Sequence, residues 1–373
     1  MFMAGRTTPK GPPGQLYIDR DRDYISGDLG DYVKIGIVKE HEERGSEDRS
    51  KEHQTGNPRK IVIIREFTSV MVEHLEGRLH SKFAERRGSG EWFLMDDEFV
   101  EDELYPAIEQ INEQITNDAP FNDKRRTELD KVESNGVKKK PNPDDLVLHE
   151  KYKEAKERFD RVTAKMTILK RQIIDLAGNV GGIKGIVDFQ ISTTKASTKP
   201  NWPKLQEENE DLVEPFISIK EESIGPISGS LRIKNTQALD EIDEALSKEA
   251  KEAGKTLKKI SSNQAELDHG ERTDELEKVH AEYLSLVSEE HESEVEMLCI
   301  KSKLAHSLGE AEEIDGIISW ERKHNVNPEK EVFDKKGFEK RYPDIVEQYS
   351  VHKAESKSVS VKVARQRKYS FTL

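Results

Sequence analysis

The sequence predicts an α+β protein: a small three-stranded mixed sheet with flanking helices, followed by two copies of a module that combines a long helix with β-strands. Three observations predict this class. Short apolar runs alternate with helical spacing over residues 14–116, an apolar seam of heptad type begins near residue 152, and the second half of the chain resembles itself after a shift of 131 residues.

Composition limits the size of any hydrophobic core. The chain has 373 residues, of which 34% are hydrophobic and 36% charged, and its formal net charge is -14. This length allows two or three domains, and the low apolar fraction favours several small cores joined by solvated helices. The overall negative charge argues against a protein that coats nucleic acid non-specifically.

The sequence also predicts the compartment. It contains no run of about 18 apolar residues, and its first 30 residues or so lack an apolar stretch with a cleavage site, so we expect neither a membrane span nor a signal peptide. The single cysteine, Cys299, provides neither an internal disulfide nor a thiolate metal site by itself. We therefore expect a cytoplasmic protein.

The first block, residues 14–116, predicts the sheet and its helices. Three strands are expected at residues 15–18, 32–37 and 61–64, because these runs are apolar or β-branched and are bounded by polar or turn residues. Two helices are expected from apolar residues three or four apart, which are Val70, Val72, Leu75, Leu79 and Phe83 in the first and Leu104, Ile108, Ile111 and Ile115 in the second.

Shifts in composition divide the chain into six segments. Residues 117–145 contain prolines, asparagines and a run of lysines, a composition that buries little apolar surface. The predicted segments are a disordered tail at 1–13, the α+β domain at 14–116, a linker at 117–145, a first helical and β module at 146–235, an inter-module helix at 236–270, and a second module with a basic tail at 271–373.

The second half of the chain predicts paired helices. The seam residues are Tyr152, Ala155, Phe159, Val162, Met166, Leu169, Ile173 and Leu176. Such a stripe needs a partner, so a homo-oligomer formed through the C-terminal helices is one expectation. A shift of 131 residues places Tyr152 on Tyr283 and Gly178 on Gly309, and a two-residue slip follows. Two copies of one module explain this match, and coincidence between helix-rich segments is the alternative.

The C-terminus is basic. Between residues 351 and 373 one acid, Glu355, faces six bases, which are Lys353, Lys357, Lys362, Arg365, Arg367 and Lys368. A charge run of this kind indicates either a solvated face or a surface for an anionic partner.

Residues suited to chemistry are concentrated in the first block. In chain order they are Tyr17, Lys34, Gly36, Arg49, Glu76 and His80. Glu76 and His80 are four residues apart, so they share one face of the predicted helix. His80 is expected as a proton donor, as a neighbour of a metal or as a packing residue, and Glu91 is a candidate second carboxylate. His53 and His74 are expected at the surface.

The order of these motifs resembles the GIY-YIG nuclease superfamily, specifically its phage Orf-type DNA-binding and meiotically-up-regulated-gene branch. The matching elements are Leu16 and Tyr17, residues 33–36 (Val-Lys-Ile-Gly), Arg49, residues 55–58 (Thr-Gly-Asn-Pro), Glu76 with Leu79 and His80, and residues 90–93 (Gly-Glu-Trp-Phe). The resemblance covers about residues 14–115, which is under a third of the chain.

The resemblance implies a compact sheet domain that cleaves one DNA strand by metal-assisted hydrolysis. Glu76 would then bind a single Mg²⁺ or Mn²⁺ ion, for which a carboxylate is a suitable hard ligand. Arg49 would hold the scissile phosphate, and Tyr17 would position or activate the water. Six further basic residues of the block are expected to contact DNA, namely Arg44, Lys51, Arg59, Lys60, Arg86 and Arg87.

Lys34 departs from the superfamily pattern, because it stands where the second tyrosine of the name motif would be. It replaces that tyrosine either as a charge near the phosphate or as a proton acceptor. The departure equally suits a domain that has kept a DNA groove and lost cleavage. A catalytically inactive DNA-binding protein, and an assembly protein that acts through its coiled-coil helices, are therefore the alternatives to a nuclease.

The C-terminal repeats carry a second resemblance. Residues 333–338, followed by Pro343 and Tyr349, are similar to an accessory segment of phage YqaJ-type recombination exonucleases. This similarity implies a module that recurs beside phage DNA-processing enzymes. Its aromatic residues interleaved with lysines suit either base stacking or packing of the module's own core.

Overall fold

The computed structural model describes most of the chain, in six segments: residues 11–42, 45–54, 58–88, 90–121, 128–260 and 267–365. It has two parts. We call residues 11–121 the sheet domain and residues 128–365 the helical unit. Within the described segments, no helix combines the length and apolar character needed to cross a membrane.

The secondary structure is mixed, with several small and mainly antiparallel sheets. The strands are β1 (Gly14–Arg22), β2 (Leu29–Lys39), β3 (Lys60–Ser69), β4 (Trp92–Leu94), β5 (Lys138–Lys139), β6 (Gly182–Ile183), β7 (Val187–Thr194), β8 (Ser197–Pro200), β9 (Ile217–Lys220), β10 (Ser223–Ser228), β11 (Arg232–Ile233), β12 (Glu313–Ile314), β13 (Ile318–Ser319), β14 (Lys323–Asn327), β15 (Lys330–Phe333), β16 (Ser350–Lys353) and β17 (Ser356–Val363).

The helices range from a single turn to ten turns. They are α1 (Ser46–Gln54), α2 (Val72–Lys82), α3 (Asp97–Phe99), α4 (Tyr105–Asp118), α5 (Pro143–Ala177), α6 (Trp202–Glu208), α7 (Glu210–Val213), α8 (Leu239–Ile242), α9 (Glu244–Leu257), α10 (Asp274–Leu308), α11 (Lys335–Arg341) and α12 (Pro343–Gln348).

The sheet domain contains a four-stranded antiparallel sheet in the order β3-β1-β2-β4, where three mixed strands were expected. The three expected strands are present, and β4 adds a fourth at the edge beside β2. A three-residue strand shows no alternation, so the sequence pattern does not reveal it. The sheet is antiparallel throughout because β1 pairs with its neighbour in sequence and with a strand that returns in the opposite direction.

The two faces of this sheet have different coverings. Leu16 and Ile18 of β1 lie in the core that α2 and α4 cover with their apolar stripes. Because side chains alternate along a strand, Tyr17 and Asp19 point to the opposite face. There α1 lies over the sheet, and its Ser46 donates a hydrogen bond to Glu66 of β3. This second face carries Tyr17 and Lys34, and Arg49 is on the helix over it, whereas Glu76 and His80 belong to α2.

Two segments expected to be free of structure are built into the fold. The carbonyl oxygens of Pro12 and Pro13 accept hydrogen bonds from the amides of Val72 and Glu40, so the expected tail does not extend to residue 13. In the expected linker, β5 pairs in parallel with β12 of the helical unit. Main-chain hydrogen bonds to residues distant in the sequence hold both segments in place. Such bonds leave no pattern in the local sequence.

Helices α5 and α10 form the centre of the helical unit. Each has 35 residues and each ends at a glycine with positive φ, Gly178 at 70° and Gly309 at 59°. Asn142 and Asp145 form a capping box at the start of α5, and Thr273 caps α10. Side-chain caps are typical of helix starts and glycines of helix ends, and these signals bound two helices of the same length.

The apolar seam of α5 finds its partner within the same chain. Val162, Met166 and Leu169 pack against Leu284 and Val287 of α10. Tyr152, near the start of α5, packs against the end of α10, so the two helices run antiparallel. Most of the seam therefore has a partner within the chain, although Leu176 is exposed, and the homo-oligomer stays a prediction.

The elements after the two long helices recur in the same order. Strands β6 and β7 correspond to β12 and β13 at a shift of 131 residues, and β8–β10 with α6 and α7 correspond to β15–β17 with α11 and α12 at a shift of 133. Strands of the two series also pair with each other, β8 with β16 and β9 with β15. We call β7, β8, β16 and β17 the first arm, and β9, β10, β14 and β15 the second arm.

The sheet domain rests on α10 through polar contacts. The Arg78 guanidinium donates to Glu292 at 3.2 Å and 2.5 Å and to Gln114 at 2.8 Å. Lys303 of α10 pairs with Asp118 at 2.6 Å. Because Arg78 and Glu292 are two-pronged partners with little exposure on the arginine side, this pair orients the two parts.

Candidate functional site

A close approach between two strands forms the floor of the candidate site. Tyr17 of β1 lies directly opposite Gly36 of β2, and a Cβ atom at residue 36 would be 2.5 Å from the Tyr17 ring. Only glycine leaves room for this ring, which explains a tyrosine and a glycine at these positions on neighbouring strands. Tyr17 is therefore fixed and 2% exposed.

The Tyr17 hydroxyl faces a histidine of α1. Its oxygen lies 3.2 Å from Nε2 of His53. Burial, followed by the charge of Asp19, raises the pKa of Tyr17 well above its usual range. Burial, followed by the charge of Lys34, lowers the pKa of His53. At neutral pH the pair is thus a neutral phenol and a neutral imidazole, and the imidazole can accept a proton.

Lys34 forms an ion pair within the site. Its Nζ donates to Oε2 of Glu91 at 2.6 Å, and its side chain is almost fully buried. Burial opposes ionisation of Glu91, but the hydrogen bond from Lys34 outweighs it and the pKa of Glu91 is lowered. The ammonium group is thereby directed at the site as a fixed positive charge.

Asp19 is a buried carboxyl group on the same face. It lies opposite Lys34 in the strand register and is 0% exposed. Burial raises its pKa to about 6, although the charge of Lys34 opposes this shift. A carboxyl group in this position can hold a proton near neutral pH, unlike an exposed aspartate.

Glu76 and His80 reach the site from α2. Both are buried, at 5% and 3% exposure. The negative charge of Glu76 contributes to the raised pKa of Tyr17, which places the two groups within electrostatic reach. His80 Nε2 lies 3.2 Å from the carbonyl oxygen of Ile35, and its ring packs 5.3 Å from that of Phe93. These contacts favour a packing role for His80.

Arg49 approaches from α1, one helical turn before His53. Its guanidinium lies 3.3 Å from Glu52, and the hydrogen bond to Glu52 raises the pKa of Arg49. Its positive charge lowers the pKa values of Tyr17 and His53, so it acts on the same volume. Among the described residues, no acceptor binds its buried Nε atom.

The six predicted DNA contacts occupy different settings. Arg44 lies outside the described residues, and Lys51 and Lys60 are exposed. Arg59 is bound to Asp21 at 2.5 Å, a contact that competes with phosphate. Arg86 stacks 3.7 Å from the Phe99 ring centre. Arg87 donates to the Gly90 carbonyl at 2.6 Å, and its charge acts weakly on Glu91.

The predicted ligand of a divalent ion is Glu76. It is a buried carboxylate of α2, and its charge makes the smallest of the contributions to the pKa of Tyr17. In the described part of the chain, no three His, Cys, Asp or Glu side chains cluster in a way that could hold a metal. An ion bound by one carboxylate keeps several water ligands, and Mg²⁺ tolerates this arrangement well.

Sequence reasoning missed Asp19 and misplaced two histidines. His53 was expected at the surface and is half-buried against Tyr17, and His74 is buried at 2% exposure. Asp19 lies two residues after Tyr17 on a strand, and His53 lies four residues after Arg49 on a helix. Each spacing puts the missed residue on the same face as a predicted one, so this signal was available.

Comparison with known proteins agrees with this location. Residues 14–112 match the family model of the T5orf172 domain, a phage-type family associated with nucleases and DNA binding. No significant match was found among curated proteins or among solved structures. The matched segment ends within α4, so it contains all the elements that carry the candidate site, and the sheet domain is similar to a phage-type nuclease or DNA-binding domain.

Proposed function

We propose that the protein is a DNA endonuclease of GIY-YIG type, which makes metal-dependent strand breaks through its sheet domain. The observation that supports this proposal is the group of polar residues around the contact between Tyr17 and Gly36. The Tyr17 hydroxyl lies beside His53, Lys34 is two residues from Gly36 on the same strand, and the charge of Glu76 acts on Tyr17. A buried phenol, a fixed cation and a buried carboxylate are the parts that phosphodiester hydrolysis requires.

The proton of the attacking water leaves through Tyr17 and His53. As the water oxygen bonds to phosphorus, its proton passes to the Tyr17 oxygen and the phenolic proton passes to His53 Nε2, which lies 3.2 Å away. The raised pKa of Tyr17 makes a free phenolate scarce, whereas the lowered pKa of His53 keeps its imidazole neutral. The bond from phosphorus to the leaving oxygen breaks, and that oxygen takes a proton from solvent.

Two cations bind the scissile phosphate. The charge of Arg49 acts on both Tyr17 and His53, which suits a cation that binds phosphate oxygens beside them. Lys34 is already paired with Glu91 and adds a fixed charge, so it replaces the second tyrosine as a cation and not as a proton acceptor. Glu76 would hold one Mg²⁺ or Mn²⁺ ion, which supplies polarisation of the phosphoryl oxygens when bound.

The test is nicking of supercoiled plasmid and of circular single-stranded DNA by the purified protein, with and without Mg²⁺ or Mn²⁺. We expect metal-dependent nicks, and we expect Glu76→Gln and Arg49→Ala each to slow nicking about 100-fold or more. Glu73→Gln is the matched control, because Glu73 lies on the same helix, is partly exposed and binds Lys39.

Three outcomes would contradict the proposal. Intact DNA under all metal conditions, together with a gel shift, would favour the inactive DNA-binding protein. Neither nicking nor a shift would favour an assembly protein. Nicking that survives Glu76→Gln would place the chemistry elsewhere in the chain.

A further inference from the structure

The two arms of the helical unit share a topology but differ in charge. The first arm, residues 187–200 and 350–363, has five lysines, namely Lys195, Lys199, Lys353, Lys357 and Lys362, against the two acids Asp188 and Glu355. The second arm, residues 217–228 and 323–333, has three lysines, namely Lys220, Lys323 and Lys330, against the four acids Glu221, Glu222, Glu329 and Glu331. The chain as a whole is acidic at -14, so the positive first arm stands out.

Register places part of this charge on one face. In the ribbon of β8 and β16, Lys199 lies opposite Val351 and Lys353 opposite Ser197. Directly opposed residues of an antiparallel pair point to the same face, and residues two apart on a strand also share it. Lys199 and Lys353 are therefore diagonal neighbours on one exposed face. Lys195 is exposed in the turn that joins β7 to β8.

Exposed apolar side chains are more numerous on the second arm than on the lysine-rich first arm. The large apolar side chains exposed on the second arm are Ile217, Ile219, Ile224, Val326 and Val332, whereas Val351 is the one exposed on the described first arm. Protein interfaces are depleted in lysine and concentrate apolar or aromatic anchors. Lysines without such anchors are typical of contacts to phosphate. The first arm therefore suits a nucleic acid better than a protein.

We propose that the first arm is a second DNA contact of this protein, which binds the phosphate backbone of duplex DNA through Lys195, Lys199 and Lys353. This inference rests on the proposed function, because the nuclease would need DNA as its partner. A two-stranded antiparallel ribbon has dimensions that a DNA groove accommodates, and its lysines can reach the flanking phosphates. The contact is insensitive to sequence, since lysines bind phosphate as point charges.

The test compares the two arms within the full chain. One variant carries Lys195→Ala, Lys199→Ala and Lys353→Ala. The matched control carries Lys220→Ala, Lys323→Ala and Lys330→Ala in the second arm. Affinity for a duplex of about 30 base pairs is measured by fluorescence anisotropy in EDTA at several salt concentrations, so that no cleavage intervenes. Urea unfolding of each variant verifies its fold.

We expect the first-arm variant to lose roughly 10-fold to 100-fold in affinity and its plot of log affinity against log salt to flatten by about 3 units. The control should stay within about twofold of the wild type. Equal losses in both variants, or an unchanged salt slope in the first-arm variant, would overturn the inference. Nicking by the wild type is scored separately, so failure of the nuclease proposal and failure of the arm proposal give different results.

Discussion

Both parts of the molecule bury charged and polar side chains, but they use them differently. In the sheet domain, Asp19 and Lys34 are buried opposite each other on neighbouring strands, and the charges of Asp19 and of buried Glu76 both act on Tyr17. In the helical unit, buried polar groups bind main-chain carbonyls: Arg322, which is 0% exposed, donates to those of Leu129, Gly309 and Ala311. A side chain bound to several backbone carbonyls supports the fold, whereas charged side chains that interact with one another are candidates for chemistry.

The largest expected effect tests the chemical half of this comparison. Lys34→Met removes the fixed cation and leaves Glu91 without its partner, so we expect nicking to slow about 100-fold or more in protein that urea titration shows to be folded. Lys34→Arg keeps the charge and should retain part of the rate. Nicking by Lys34→Met at the wild-type rate would contradict the role of Lys34 as a cation on the phosphate.

The structural half predicts a loss of stability without a loss of chemistry. Arg322→Ala leaves three buried carbonyls without their donor, so we expect the free energy of unfolding to fall by about 3 kcal/mol in urea titrations. Lys323→Ala, at the exposed neighbouring residue, is the control and should cost under about 0.5 kcal/mol. A folded Arg322→Ala variant that nicks DNA at the normal rate would support the comparison. A variant that keeps full stability but no longer nicks DNA would contradict it.

Two histidines at corresponding positions give a smaller, paired effect. His149 of α5 lies 2.8 Å from the Lys234 carbonyl, and His280 of α10 lies 2.8 Å from the Ala364 carbonyl. Because the two environments match, we expect His149→Ala and His280→Ala each to lower the free energy of unfolding by about 1–2 kcal/mol. Thermal or urea unfolding that shows a large effect for one variant and none for the other would disprove this equivalence.

The smallest expected effect is a difference in pH slope. His291 of α10 is buried against the sheet domain: burial and the charges of His74 and Arg78 lower its pKa to about 4, although Glu292 opposes the shift. Between pH 6.5 and 4 the unfolded chain binds a proton that native His291 does not, so this group makes stability fall as pH falls. Asp19, with its pKa raised to about 6, binds its proton first in the native state and makes stability rise as pH falls over the same window.

Asp19→Asn and His291→Gln should therefore change the slope of the unfolding free energy against pH in opposite directions. Each change is at most about 1.4 kcal/mol per pH unit, the limit for one proton. Urea titrations from pH 4 to 7 measure both slopes. If both variants change the slope of the unfolding free energy against pH in the same direction, Asp19 and His291 are not buried as described.

Local patterns predicted much of the sheet domain and little of what joins the two parts. The three main strands and helices α2 and α4 could be predicted because their apolar runs and spacings are long enough to recognise. Strand β4 and strand β5 were missed because two or three residues carry no period. In the candidate site, Tyr17, Lys34 and Glu76 followed from motif order, whereas the contact of His53 with Tyr17 depends on how α1 lies over the sheet.

The sequence by itself determined the positions that only certain residues can fill. Gly36 must leave room for a tyrosine ring, Gly178 and Gly309 must end two helices of equal length, and the α5 seam must be buried somewhere. The tertiary structure alone decided that α10 buries most of that seam and that Lys199 and Lys353 lie on one face of the first arm. Those outcomes depend on contacts between residues more than 100 positions apart, such as Lys199 with Val351, whose free energy no local pattern encodes.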